Sequence, residues 1–523
     1  MNSITCFSPP FVFAARSLFR SRGRRWLALA GALLAAAAGA GAAPQFMETA
    51  IWEKNDGGYV SHFVYGLGVT WDDTLLAACE GRVGGADAAE KDLLIKRSTD
   101  HGVTWSDDLV LEGADDHLSW SNPSFVTDGV TTYLFYCLTV DGDHGRVFYR
   151  STTDNGLTWS ARTEITQLWA NNPHGWTQHG SIGHGIVKLR GPARGRVLVA
   201  FHHRGRVALP PAQRGYGNDV IFLGPHGWEI AGGPPPDRSR GTNEARLAER
   251  PDGSLYLLAR QASGANQLRA LSESLDGGKT WSAWTTAADI RGTVCDSGLL
   301  RFSDACHLYS YPSGTAKSAR ERRDLAIKFS RDGGATWAGE RLLYRGQSTY
   351  SDLARDSRGN IYCLYGRDGS NFMGDRAFMA RFNVEWVTGE PAPTIVVDDG
   401  DAEFTTTGTW STDAALPGRF GAGSRRAEEA GATAGWNPRI ERAGRYELYL
   451  RWPAAREEAQ PGGTLELVVG GQDVATAAID QRRGAGAWSY VGTFSLPAGR
   501  DCLIRFRAGA AGALADAVML QAQ

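Results

Sequence analysis

Glu244 and Arg260 stand near the two ends of the stretch TNEARLAERPDGSLYLLARQ, Thr242 to Gln261. Pro251 to Gly253 is a turn signal, and SLYLLAR after it reads as a short strand. A lone carboxylate and a lone guanidinium therefore fall at the ends of adjacent strands. A carboxylate can accept a proton and a guanidinium can hold an anion; the plain alternative is two exposed charges on a hairpin. A second concentration of chemistry is histidine. NNPHGWTQHGSIGHGIVKL carries His174, His179 and His184, and VAFHHRG adds His202 and His203. Three imidazoles can hold zinc, but no H-E-x-x-H or comparable helical spacing supports that. The reading is no metal and no cofactor, with His179 or His202 recognising substrate hydroxyl or carboxylate groups from polar loops.

The elements that must position these groups are strands. The 523 residues include 65 Gly, 17 Trp, 16 Tyr and 20 Phe, a balance that favours strands and tight turns. The length exceeds one ordinary core, so at least two domains are expected. A formal net charge of -2 leaves no broad basic surface for nucleic acid. Cysteines are scattered without a C-x-x-C pair. Cys295 and Cys306, the nearest two, are candidates for a bridge; Cys79, Cys137 and Cys363 lie in apolar strands as buried thiols.

One octapeptide recurs: STDHGVTW from Ser98, TTDNGLTW from Thr152, SLDGGKTW from Ser274 and SRDGGATW from Ser330. Each follows a strand-like segment. The Asp can accept turn amides, the Gly can take positive φ, and the Trp can plug the hairpin into an apolar seam. The box aspartates are 54, 122 and 56 residues apart. Units of about 50 to 60 residues suit four-stranded propeller blades, with one degenerate copy inside the long gap.

These boxes resemble those of the sialidase (neuraminidase) superfamily, whose hallmark is the Asp box on a six-bladed propeller. The resemblance implies an all-β chain: a catalytic six-bladed β-propeller over 44–388, then a linker and small β-sandwich over 389–523. It also implies a retaining exo-glycosidase releasing a terminal acidic 2-keto-3-deoxy sugar from a glycan or glycoconjugate. The pattern N-E-x…D-G-x-L…R makes Glu244 the residue that activates the nucleophile and Arg260 a grip on the substrate carboxylate. GQSTYSDLARDSRGN places Tyr350 as the nucleophile. LLAACEGRVGGADAAEKDLLIKRS places Asp87, five residues after Arg82, as the acid/base, with Glu90 and Asp92 as rivals and Glu80 and Arg82 forming a pocket wall. SARERRDLAIKFS gives Arg322 as the second carboxylate ligand, with Arg323 facing the other way on an extended strand. Tyrosine suits such a sugar, because a neutral phenol approaches an anomeric carbon bearing a carboxylate without charge repulsion.

The resemblance breaks at one place. The family's Y-R-I-P falls on HFVY, His62 to Tyr65, so Phe63 stands where a third arginine belongs. No arginine occurs from Pro44 through Glu80; Arg204, Arg206 and Arg214 are the substitutes at hand. The glutamate expected after the YSDL strand is also missing, with Gly366 in LYG. Phe63 is expected to contact a sugar less polar or differently substituted than N-acetylneuraminate. Two alternatives stay open: a glycosidase for another sugar, Kdo-like or uronic, or a non-catalytic glycan-binding propeller.

At the C-terminal end, VVDDGDAEFTTTGTW, WNPRIERAGRYELYLRWP and DAVML resemble the golvesin or xanthan-lyase accessory module, which either binds glycan or braces the propeller. At the other end, Arg16 to Arg25 precede the apolar run WLALAGALLAAAAGAGAA, so 1–43 reads as a signal peptide and the mature protein as periplasmic or secreted. No later run is long and apolar enough for a membrane span.

Overall fold

The computed structural model describes residues 43–523 except 88, 114–116, 142–143, 206–214, 238, 262–267, 315–321, 370–371 and 455–461. The signal-peptide reading lies outside the described residues but for Ala43, as do Arg206 and Arg214.

The described chain is almost entirely β. Its strands are short runs rich in branched and aromatic residues, joined by tight turns, and they fold in sequence order into antiparallel meanders. Ser61–Val69, Leu75–Arg82 and Lys91–Ser98 pair in turn. Ser119–Asp128, Thr131–Thr139 and Gly145–Thr152 repeat the pattern. Val197–Gly205, Gly217–Gly224 and Gly227–Gly232 make the next unit, with Ile186–Val187 on its inner side. Thr242–Glu249, Leu255–Gln261, Leu268–Ser274 and Thr285–Arg291 follow. Gly298–Arg301, His307–Pro312 and Arg323–Ser330 lead into the long strand Gly339–Arg355, whose second half opens a further meander with Ile361–Arg367 and Arg376–Phe382. The first described strand, Phe46–Glu53, returns to pair with Arg376–Phe382. This is a propeller-type arrangement in which each unit packs its apolar face on the next.

The four boxes behave as their residue types require. Asp100, Asp154, Asp276 and Asp332 each accept from the Thr four residues on, through both main-chain N–H and hydroxyl. The glycine two residues after each Asp has φ between +78° and +94°, where a side chain would be strained. The Trp rings close seams between neighbouring meanders: Trp281 packs with Leu198, Leu247 and Leu255, and Trp337 with Tyr256 and Tyr309.

Among the described residues, no sheet mixes strands from before and after the short helix Val384–Thr388. The C-terminal part stacks a four-stranded, a five-stranded and a three-stranded sheet around Trp436, Leu448, Leu450, Ile504 and Phe506. It is joined to the propeller-type part by charge as well as by packing. Buried Glu447 accepts from Arg301 Nη2 at 2.7 Å and from the Asp304 main chain, and Arg190 lies over the Tyr490 ring at 3.7 Å.

Cys295 and Cys306 do not bridge; both are buried free thiols, as are Cys79, Cys137 and Cys363. Cys295 precedes the strand Gly298–Arg301, whereas Cys306 sits in the turn beyond it. At roughly 3.3 Å per residue the strand holds them farther apart than the roughly 4.4–6.8 Å that a disulfide spans between Cα atoms. Among the described residues no helix is long and apolar enough to cross a membrane.

Candidate active site

The innermost strands bulge at one level, and the sequence-predicted residues sit on the bulges. Register shifts fall between Phe63 and Tyr65, between Thr242 and Ala245, and between Ser348 and Ser351. A bulge adds one residue and re-aims the side chains beside it. Val64, in the first of them, has φ 56°, a costly conformation for a β-branched residue. The bulges bring Phe63, Glu244 and Tyr350 out of plain strand alternation and toward a common place.

There Tyr350 Oη donates to Glu244 Oε1 at 2.6 Å. Arg260 Nη1 donates to both Glu244 oxygens and to Tyr350 Oη, each at 2.8 Å. Arg322 lies over the Tyr350 ring at 5.0 Å, held by the carbonyls of Val294 and Phe372. Its neighbour Arg323 is exposed. The cluster is nearly closed: Tyr350 is 6% exposed, Glu244 8% and Arg322 4%.

Electrostatics follow from this enclosure. Burial pushes the Tyr350 phenol well above its ordinary value, and the Glu244 charge adds to the push. Burial would raise Glu244 too, but the Arg260 charge, with His202 and the Tyr350 hydrogen bond, more than offsets it and holds the carboxyl below the usual range. The Arg260 guanidinium is correspondingly raised, its own burial outweighed by Glu244. At rest the pair is thus a neutral phenol donating to an ionised carboxylate.

Phe63 fills the third-arginine position as an apolar wedge. Its ring lies 4.7 Å from Tyr350 and 6.0 Å from Phe372, and Arg82 sits over it at 4.9 Å. The expected direct contact between Phe63 and a sugar is not available in this arrangement, because these neighbours leave Phe63 only 3% exposed. Arg82 is buried in turn and binds Glu80 Oε2 at 2.6 Å and Asp87 Oδ1 at 2.9 Å. Asp87 itself is 85% exposed on the loop after Leu75–Arg82. A continuous chain of contacts therefore runs Asp87, Arg82, Phe63, Tyr350, Glu244, Arg260. The rivals for the acid position are engaged elsewhere: Glu90 with His117, and Asp92 with the Tyr59 hydroxyl.

The histidines divide by strand face. His202 lies close enough to Glu244 and Arg260 to feel both charges, and burial lowers it to about 4, so it is neutral near pH 7. His179 does not join it. Opposite His203 in the ladder, His179 Nδ1 lies 2.8 Å from His203 Nδ1, and its ring stacks on Trp169. His203 Nε2 is 3.0 Å from Asp219. Alternation along Val197–Gly205 puts His203, and His179 opposite it, on the face away from His202. His184 pairs with Asp352 at 2.9 Å. Arg204 binds Gln178 rather than the Tyr350 cluster, so among the described residues it does not refill the vacant arginine position. Sequence reasoning passed over Phe372, which covers Phe63 and sits 5.7 Å below the Arg322 guanidinium. It also passed over the buried pair Arg246 and Asp296, whose carboxyl burial raises to about 7. Arg246 lies two residues after Glu244, the one signal that could have found it.

Box turns, stacked meanders and a buried Tyr–Glu–Arg cluster define an Asp-box β protein of propeller type with a second, smaller β domain. The BNR repeat-like domain family matches residues 73–363, more than half of the chain, and the chain belongs to that family, within the sialidase superfamily. The Golvesin C-terminal domain family matches residues 395–522. A sialidase of Micromonospora viridifaciens is 27% identical over 390 residues, 68% of this chain and 57% of that protein. A xanthan lyase of Bacillus sp. (strain GL1) is 37% identical over 143 residues, 25% of this chain and 15% of that protein. The chain thus spans less than two thirds of either relative. Among solved structures, the Hadza microbial sialidase Hz136 aligns with a TM-score of 0.54 at 24% identity, over 64% of this chain and 68% of that one. The chain is homologous to sialidase-family glycosidases, which act on acidic sugars.

Proposed function

We propose that the protein is an exported, retaining exo-glycosidase that releases a terminal acidic sugar. The observation that carries this is the 2.6 Å hydrogen bond from Tyr350 Oη to Glu244 Oε1 with Arg260 bridging both. Tyr350 Oη attacks the anomeric carbon as its proton passes to Glu244, and Asp87 protonates the departing glycosidic oxygen. Water, deprotonated by Asp87, then attacks the anomeric carbon as its bond to Tyr350 Oη breaks, and the departing phenolate recovers its proton from Glu244. Arg260 and Arg322 hold the substrate carboxylate. That anion competes with Glu244 for Arg260, so its arrival raises the proton affinity of Glu244 when a base is needed.

The six meanders read as six blades, closed by the return of Phe46–Glu53 onto Arg376–Phe382. We take 44–388 as the catalytic body, 389–523 as linker and accessory domain, and 1–43 as the export leader of a periplasmic or secreted protein. Phe63 favours a refinement. Two arginines instead of three suit a substrate other than ordinary N-acetylneuraminate, such as a Kdo-like or uronic acid residue. Comparing kcat/KM on aryl glycosides of neuraminate, Kdo and a uronate tests this; a clear neuraminate preference defeats the refinement. Trapping with a fluorinated acidic sugar tests the mechanism. The label belongs on Tyr350, and a label on a carboxylate, or an inverted product, overturns it.

A further inference from the structure

A separate group of charges lies in the C-terminal domain. Asp398 and Asp399 directly follow the strand Thr394–Val397, and Asp516 precedes Ala517–Ala522, the strand paired with it. One carboxylate oxygen from each of the three lies within 4.8 Å of those of the other two. Asp399 is 5% exposed and Asp516 0%, whereas Asp398 is half-buried.

Their charges are poorly matched. Asp399 Oδ2 lies 2.9 Å from Arg425 Nε. Asp516 Oδ2 accepts from the Phe420 main-chain N–H at 2.9 Å. Asp516 Oδ1 and Asp398 Oδ1 are both buried from solvent, and neither has a hydrogen-bond partner among the described residues. Buried Arg451, whose charge also acts on Asp516, donates to the carbonyls of Gly418 and Trp71 instead. Three carboxylates therefore converge on one contacting guanidinium, with two buried oxygens left empty-handed. Such groups are costly unless something positive meets them.

We propose that Asp398, Asp399 and Asp516 bind a calcium ion that ties the domain's first and last strands to the Phe420 loop. The donor set is all oxygen, which selects a hard cation over zinc or copper. A shell of about six to eight oxygens at roughly 2.3–2.6 Å is filled by the carboxylates with water, which can enter beside half-exposed Asp398. The site adjoins the propeller-type part. Phe420 lies under Arg358 at 5.2 Å, and a Cβ at Gly418 would meet the Val130 side chain at 2.7 Å. An ion there would stiffen a loop that meets Arg358 and Val130 of the propeller-type part.

The test uses the whole chain, purified, stripped with chelator and dialysed. Calorimetric titration with calcium chloride should show one ion per chain, and calcium should raise the thermal midpoint. Terbium should bind in the same place and be sensitised by Trp436, whose Nε1 donates to the Asp516 carbonyl at 3.2 Å. Asp398→Asn, at the half-exposed position, should weaken calcium at least tenfold and dim the terbium signal while the chain stays folded; Asp516→Asn should do the same or more. Should Asp516→Asn fail to fold, Asp398→Asn carries the result. Absence of calcium and terbium binding in the wild type overturns the proposal, as does binding left unchanged by Asp398→Asn.

Discussion

The box turns and the Tyr350 cluster both rest on a carboxylate meeting hydroxyl and nitrogen donors, yet they are built over opposite distances. Each box aspartate finds its partners within four residues. Glu244 finds Tyr350 from 106 residues away and Arg260 from 16. The short-range pattern is repeated, mostly exposed and self-sufficient. The long-range one occurs once and is buried, and its net charge is shared with groups that a substrate could recruit. Local satisfaction makes a structural device; satisfaction across the fold makes a site whose partners can be exchanged.

The largest break in this comparison should come from Tyr350→Phe, which keeps the ring but removes the donor. Turnover should fall by roughly a thousandfold or more with the thermal midpoint nearly unchanged. Glu244→Gln should cost nearly as much, and the double variant should lose less than the product of the two, since they act as a unit. Steady-state rates beside melting curves check both; multiplicative losses would mean that the pair does not work together.

Glu447 sharpens the comparison, because it is buried and long-range yet far from that chemistry. Glu447→Ala should destabilise the chain by about 3 kcal/mol, near the lower end for a broken buried pair because Arg301 keeps Asp304, with kcat on a small substrate unaltered. Urea unfolding and kinetics on the same sample decide it, and a loss of kcat would show that the docking of the C-terminal domain reaches the site. Asp276→Ala, in a box, should cost less, about 1–2 kcal/mol, again without effect on kcat.

The smallest effect is in acid. Slight burial would raise Asp100, but the Thr104 hydroxyl and N–H and the Ser98 hydroxyl hold it at about 2, and the other three box aspartates are also lowered. A folded value below the unfolded one stabilises above the ordinary carboxylate range and is lost as pH falls toward about 2. The urea midpoint of Asp100→Asn should therefore fall less steeply between pH 4 and about 2 than that of the wild type. An identical slope would mean that the box carboxylates contribute nothing to acid stability.

The sequence reached far into this site because its residue types were sparse and their neighbours were turn formers. Glu244, Arg260, Arg322 and Tyr350 were legible from short patterns, and they meet. The pairing of His179 with His203 was not legible, since nothing in WTQHGSIGHG tells which face of a strand its imidazole takes. Phe63 was legible as a substitution but not as a covered one, because Phe372 reaches it from another meander. The proposed cation site was illegible for the same reason: Asp398 and Asp516 lie in two stretches far apart in the chain, VVDDGD and DAVML, and meet only through the pairing of the domain's first and last strands.

What the sequence determined by itself is what neighbours within four residues can settle: the box turns, their glycines at positive φ, the strand periods, and the kinds of chemistry available. Only the tertiary structure decided which of those groups meet. Strand register, the bulges at Val64 and beside Glu244 and Tyr350, and the packing of one meander on the next set those distances. Each such contact closes a long loop of chain, so it forms only when many others hold it in place.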